Sequence, residues 1–213
     1  MKIIVFGATG DVGSRVVKEA LLRGHVVSAV VRNENKLDRL PKAVSVHVLD
    51  VTDTKAVTQV MAGHDLAVST LRPPEGQEMD LPELTKSVLN AAAESKARVL
   101  IGGGAANLLI PDLSGYTVLT APNFRPEAVK PIAIACFVQY AYCVAEDGTD
   151  RTYFSPAAML ESGKRTGNYR RGSDFLLVDE DGQSKISMED YAVAMMDEAE
   201  NPTANVKRVT VAY

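Results

Sequence analysis

Gly7, Gly10 and Gly13 in "FGATGDVG" recur at intervals of three, the chemistry of a cradle for phosphate. The negative charges of a pyrophosphate are met by backbone N–H groups at a helix start, where the macrodipole is positive, and side chains would block that approach. Gly7 permits a tight exit from a strand, Gly10 lets the backbone reach the phosphates, and Gly13 lets the next helix pack close to a sheet. The spacing departs by one residue at the front from the G-x-G-x-x-G dinucleotide fingerprint, so its setting decides between that reading and an unrelated glycine turn.

The setting is a β-α-β unit. Lys2–Phe6 reads as a buried strand, Val12, Val16, Val17, Ala20 and Leu21 share a helical face, Gly24 supplies the stop, and His25–Val31 restarts as a strand. The tip of that second strand discriminates the ribose: an acid for a free 2′-hydroxyl, a cation for a 2′-phosphate. Here "VVSAVVRNENK" places Arg32 at the tip and Lys36 one helical turn later, with no acid at the tip itself. A guanidinium matches phosphate bidentately, which favours NADP(H) over NAD(H); a solvated loop arginine is the competing reading. Asp50 in "VLDVTD" ends the third strand, where it can accept from an adenine amino group while Val51 packs on the ring, or can instead cap the following helix. Ser69, Thr70, Leu71 and Arg72 leave the fourth strand at the same carboxyl edge, and Leu71 is expected to line the cofactor site.

The alternation continues with helices near 33–40, 54–62 and 84–95 and strands at 44–49, 66–70 and "ARVLIGGG". Strands separated by helices require parallel pairing, so the fold class is α/β, a Rossmann-type doubly wound parallel sheet. At 213 residues it is a single domain, with a cofactor half over about 1–107 and a small substrate-side extension over about 108–213. The second half carries a turn-rich excursion, an apolar helix near 131–144, a strand at 152–155, and a hairpin in "GNYRRGSDFLLVDEDGQSKIS" turning at 180–182. A Ser187/Asp190 capping box then starts a last helix, and a strand runs from Val206 to Val211. A net charge of −4 gives no general attraction to nucleic acid. No basic leader and no apolar run of about 18 residues is read in the chain, so a cytoplasmic protein without a membrane is expected. Cys136 and Cys143, seven apart on one helix face, read as buried free thiols.

With "FGATGDVG", Arg32 after "SAVV", "LDVTD" and the distal "ISMEDYAVAMMDE", the chain resembles the atypical short-chain dehydrogenase superfamily. More narrowly it is similar to the NADH-flavin reductase, NmrA-like and biliverdin reductase B groups. That resemblance implies a Rossmann fold with a shallow pocket over the nicotinamide. Thr9, Gly10, Asp11 and Val12 would touch the pyrophosphate, Arg32 and Lys36 the 2′-phosphate, and Asp50 and Val51 the adenine. Where such relatives carry "GGAGSL" after the fifth strand, this chain has "GGGAAN" at 102–107, without the serine.

No tyrosine has a lysine four residues on, so the pair that lowers a phenol's pKa for proton transfer is missing. Tyr116, Tyr140, Tyr142 and Tyr153 could offer a stacking face or a donor, or simply pack. His25, His47 and His64 show no metal-ligand spacing. Hydride delivery to a flavin or quinone needs no side-chain proton donor. The sequence therefore points to hydride transfer from NADPH to a small aromatic acceptor, with a non-catalytic NADP(H) sensor of the NmrA-like type as the alternative.

Overall fold

After Lys2 the first strand has no polar residue to face water, so Lys2–Phe6 (β1) becomes a central strand with Ile3, Ile4, Val5 and Phe6 fully buried. The computed structural model describes residues 1–124, 126–204 and 207–213. It pairs β1 in parallel with β2 (Val26–Val31) on one side and β4 (Leu66–Ser69) on the other. β3 (Ser45–Val48) lies outside β2, while β5 (Arg98–Gly102), β6 (Arg151–Ser155) and β10 (Arg208–Ala212) extend the other flank, all parallel. The order β3-β2-β1-β4-β5-β6-β10-β8, in which β8 is Arg170–Gly172, reverses direction between β1 and β4, which opens a crevice at their carboxyl ends.

Alternate residues of β1 serve opposite faces, as the strand period of two requires. Ile3 and Val5 meet Val16, Val17 and Ala20 of α1 (Asp11–Leu22), and the same cluster takes in Ala192, Met195 and Met196 of α5 (Met188–Glu200). Ile4 and Phe6 meet α2 (Thr54–Met61), α3 (Leu81–Ser95) and α4 (Lys130–Ala145) through Val57, Met61, Val88, Leu89 and Cys143. The doubly wound parallel sheet in a single domain is the architecture that the alternation predicts.

Several local expectations change. The segment after β2 forms a 3-10 helix, Glu34–Arg39, interrupted at Lys36. The expected hairpin does not form: β8 (Arg170–Gly172) pairs antiparallel with β10, and β9 (Lys185–Ser187) pairs parallel with β7 (Met159–Glu161). The arms part because the segment between them is captured by the excursion, Leu109 N–H donating to Asp174 O and Leu176 N–H to Leu109 O. The turn itself survives, with Gly182 N–H donating to Asp179 O. Only half of the capping box is made: Ser187 Oγ accepts from Asp190 N–H, while the Asp190 carboxylate accepts from the N–H groups of Thr166 and Gly167. The expected start of the last strand at Val206 lies outside the described residues.

A further correction concerns α4. The 19 residues Glu127–Ala145, whose most apolar 18-residue stretch has mean hydropathy 1.5, are long and apolar enough to cross a membrane by length and composition, although no such run was expected. Here Ala135, Cys136, Gln139 and Cys143 are buried inward, and Ile134, Phe137, Tyr142 and Val144 stay exposed.

At the far edge Glu198 is fully buried, accepting from Arg98 Nη2 (2.9 Å), Arg171 Nη2 (2.5 Å) and the Thr203 N–H and hydroxyl (3.0 and 2.8 Å). Burial pushes its carboxyl up, but the Thr203 N–H and Arg171 outweigh that and hold it below the usual carboxylate range. A carboxyl lowered by folding contributes stability that is complete above its unfolded pKa of about 4.3 and is lost as pH falls through the folded value. Glu198→Ala should cost about 3–5 kcal/mol at neutral pH in denaturant titration, by leaving two guanidinium groups without their carboxylate. Its acid limb should also be shallower than that of the wild type; equal stability and equal acid limbs would contradict this.

Candidate functional site

The glycine loop is built by close backbone approach. Gly7 has φ +78°, and a Cβ there would fall 2.7 Å from the Thr70 carbonyl oxygen. At Gly13 a Cβ would fall 2.1 Å from the Gly7 carbonyl oxygen and 2.7 Å from Thr70 Oγ1, so no side chain fits between α1 and the loop. Thr70 seals the third side, its hydroxyl donating to Phe6 O at 3.1 Å. Gly10 is the N-cap of α1, with extended backbone (φ −74°, ψ 171°) and no side-chain acceptor, whereas Asp53 caps α2 and Ser187 caps α5. The first-turn N–H groups of Asp11, Val12 and Gly13 therefore stand at the positive end of α1 without a side-chain cap. An anion fits that arrangement.

The β2–β3 flank supplies cations. Arg32 is exposed, with no hydrogen bond or ion pair among the described residues, and its charge acts on Asp50. Lys36 is exposed at the kink of the 3-10 segment. Arg39, which sequence reading did not single out, donates through Nη1 to Thr9 O at 3.2 Å and lies 3.8 Å from the Asp11 carboxylate. The tighter 3-10 path brings it back over the loop, a fold-back that residue spacing does not signal.

Asp50 accepts from the Thr52 N–H (2.9 Å) and hydroxyl (2.8 Å), which hold its carboxyl below the usual range. The alternative that Asp50 caps the next helix is corrected: Asp53 does so, accepting from Ala56 N–H at 3.1 Å. Val51 is 9% exposed and packs into the α2–α3 side of the core, its carbonyl accepting from Ser87 Oγ. Leu71 joins that core to a small cluster of Leu81, Ala106, Ala135 and Cys136 beside the crevice.

Beyond β5, Gly103 and Gly104 are held by Tyr153. A Cβ at Gly103 would fall 2.0 Å from Tyr153 Cζ, and one at Gly104 would fall 2.9 Å from Cys136 Sγ. The fully buried Tyr153 hydroxyl accepts from Gly104 N–H (3.1 Å) and lies 3.2 Å from both Cys136 O and Gln139 Oε1, while Gln139 Nε2 donates to Thr85 Oγ1. Burial drives this phenol well above its ordinary value. Tyr191 donates to Phe154 O, Tyr142 donates to Glu83, and Tyr140 lies edge-on to Tyr153 under the Arg208 guanidinium. Tyr116 is exposed. The buried, unpaired thiols of Cys136 and Cys143 are pushed up to about 11 and about 12 by burial, so both stay protonated at neutral pH. Ser155 Oγ and Thr210 Oγ1, register partners on β6 and β10, are buried without a protein partner.

The sheet order, the crevice and the uncapped glycine loop define a doubly wound dinucleotide-binding protein. The sequence profile of the NAD(P)H-binding family matches residues 7–202, and the chain belongs to that family. The YwnB protein of Bacillus subtilis (strain 168) is 33% identical over 213 residues, 99% of this chain and 98% of its own. A crystal structure of a proposed NADH-flavin reductase from Streptococcus pneumoniae TIGR4 matches with TM-score 0.86 and 30% identity, covering 100% of this chain and 99% of that one. A proposed epimerase from Bacteroides thetaiotaomicron matches with TM-score 0.90 and 35% identity, covering 100% and 96%. The resemblance to the atypical short-chain dehydrogenase superfamily thus holds.

Two substitutions test the geometry by thermal or denaturant unfolding. Gly13→Ala should cost about 3 kcal/mol or more, since backbone must move, whereas Gly24→Ala, with φ +80° and nothing within 4 Å of its Cβ, should cost about 1–2 kcal/mol. Equal costs would contradict the close-approach role. Tyr153→Phe should cost about 1–3 kcal/mol by stranding Gly104 N–H and Gln139, and a neutral result would dissolve the proposed lock.

Proposed function

We propose that this chain is an NADPH-dependent reductase that passes hydride to a small aromatic acceptor of the flavin or quinone type. The observation that carries the reading is the uncapped start of α1 beneath the glycine loop, flanked by Arg32, which has no partner among the described residues. Thr9, Gly10, Asp11, Val12 and Gly13, with Gly7 shaping the turn, would hold the pyrophosphate. Arg32 and Lys36 would hold the 2′-phosphate, Asp50 and Val51 the adenine, and Leu71 and Arg72 would border the nicotinamide half. Arg39 neutralises Asp11 beside the pyrophosphate position. In this division residues up to about 107 hold cofactor and the remainder walls the acceptor pocket.

When bound, the nicotinamide supplies the hydride; the acceptor's proton comes from water. That economy suits this chain. No tyrosine is followed four residues on by lysine, and the Tyr153 and Tyr191 hydroxyls are buried and bonded to protein groups. An epimerase or a ketone reductase needs a positioned acid–base group at the reacting carbon, which those hydroxyls do not offer. The similarity to a proposed NADH-flavin reductase supports the same acceptor class. We place the activity in the cytoplasm, where both buried thiols stay reduced. The same commitment of the tyrosines favours one second reading, a sensor that binds NADP(H) without turnover.

Calorimetry should show NADPH binding more tightly than NADH, and Arg32→Ala should weaken NADPH by about tenfold or more while leaving NADH within about twofold. Equal losses for the two would overturn the 2′-phosphate assignment. NADPH oxidation with flavins or quinones separates the enzyme from the sensor, since the sensor binds and does not turn over.

A further inference from the structure

Eleven of the chain's twelve arginines lie among the described residues, and nine of these donate to a protein oxygen. The other two, Arg32 and Arg72, leave β2 and β4, the strands that flank β1. Both stand at the carboxyl edge of the sheet, one on each side of the glycine loop. The other described arginines are tied down, so two guanidinium groups without a partner among the described residues at one edge mark a place suited to anions.

Arg32 already has a role in the proposed cofactor site. Arg72 lies on the opposite flank, on the β4–β5 side where the nicotinamide half would lie if the adenosine occupied β2–β3. Its neighbour Leu71 packs against Leu81, Ala106, Ala135 and Cys136. The Arg72 charge reaches the Cys136 thiol, and Cys136 is the residue against which a Cβ at Gly104 would press. Arg72, Cys136 and Gly104 are therefore brought together beside the small apolar cluster of Leu81, Ala106 and Ala135. Glu75, Glu78 and Asp80 follow in the same loop, yet none forms an ion pair with Arg72 among the described residues, and Glu78 accepts from Gly76 N–H.

We infer that Arg72 is a specificity residue that binds one anionic group, a phosphate or a carboxylate, on an aromatic acceptor stacked over the nicotinamide. The guanidinium fork matches either anion bidentately. The inference rests on the proposed reductase reading and deepens it. It predicts preference for charged over uncharged forms of one ring system.

FMN and riboflavin, which differ by one phosphate, make the comparison, and a carboxylated and an uncharged naphthoquinone repeat it for carboxylate. With the full chain and NADPH, the anionic member of at least one pair should show a KM lower by about tenfold or more. Arg72→Ala should erase that difference by raising the anionic member's KM by about tenfold more than the neutral member's, each measured at saturating NADPH; Arg72→Lys should restore part of it. Quenching of flavin fluorescence in the presence of NADP+ gives the same comparison as a binding measurement if turnover is absent. Equal handling of both members of both pairs by the wild type overturns the inference, as does an Arg72→Ala variant that loses NADPH rather than the anionic acceptor. A wild type that binds no NADP(H) defeats the reductase reading instead, while FMN against riboflavin binding still reads Arg72.

Discussion

The backbone contact between Gly13, Gly7 and Thr70 is the constraint on which the rest depends. A helix can start directly over the carboxyl ends of β1 and β4 only if no side chain stands between it and the turn, and the space at Gly13 admits none. Once α1 is seated, its first N–H groups must face the crevice, because Gly10 offers no acceptor of its own. Packing thus creates the electrostatics: the seating that lets Val16 and Val17 reach the sheet also leaves a positive helix end exposed for an anion.

The two flanks of that helix end are built differently. On the β2–β3 side the chain is an exposed, kinked 3-10 segment that holds Arg39 over the loop. On the β4–β6 side it is rigid, because Tyr153, Gln139 and Thr85 join sheet, α4 and α3 through buried hydrogen bonds ending at Gly104. A fully satisfied buried network of this kind fixes geometry, since each member left alone would be costly. A buried hydroxyl bonded to Gly104, Cys136 and Gln139 is not free to donate a proton elsewhere. In the proposed reduction, that commitment favours an acceptor that takes its proton from water.

Much of this was legible from residue order. The β-α-β unit announces itself because an unbroken apolar run, three glycines and a 3.6-residue apolar stripe agree with one another over a short span. The parallel sheet follows from the alternation alone. What stayed hidden depends on distant partners. β8 and β9 are three residues each, and what they pair with is decided by β10 and β7, not by the turn between them. Asp50 and Asp53 are both eligible caps three residues apart, and only the backbone path selects Asp53. Arg39 and the Tyr153 lock are invisible because a 3-10 turn and the seating of α4, respectively, bring them to the site.

The central claim is that the amides opening α1 hold the pyrophosphate, and amide NMR reads those groups directly. Titration of the labelled protein with NADP+ should move the Asp11, Val12 and Gly13 amide resonances most, with Arg32 responding and the Arg98 and Lys207 edge of the sheet unmoved. Unmoved amides at Asp11, Val12 and Gly13, or shifts concentrated at that opposite edge, would contradict the account.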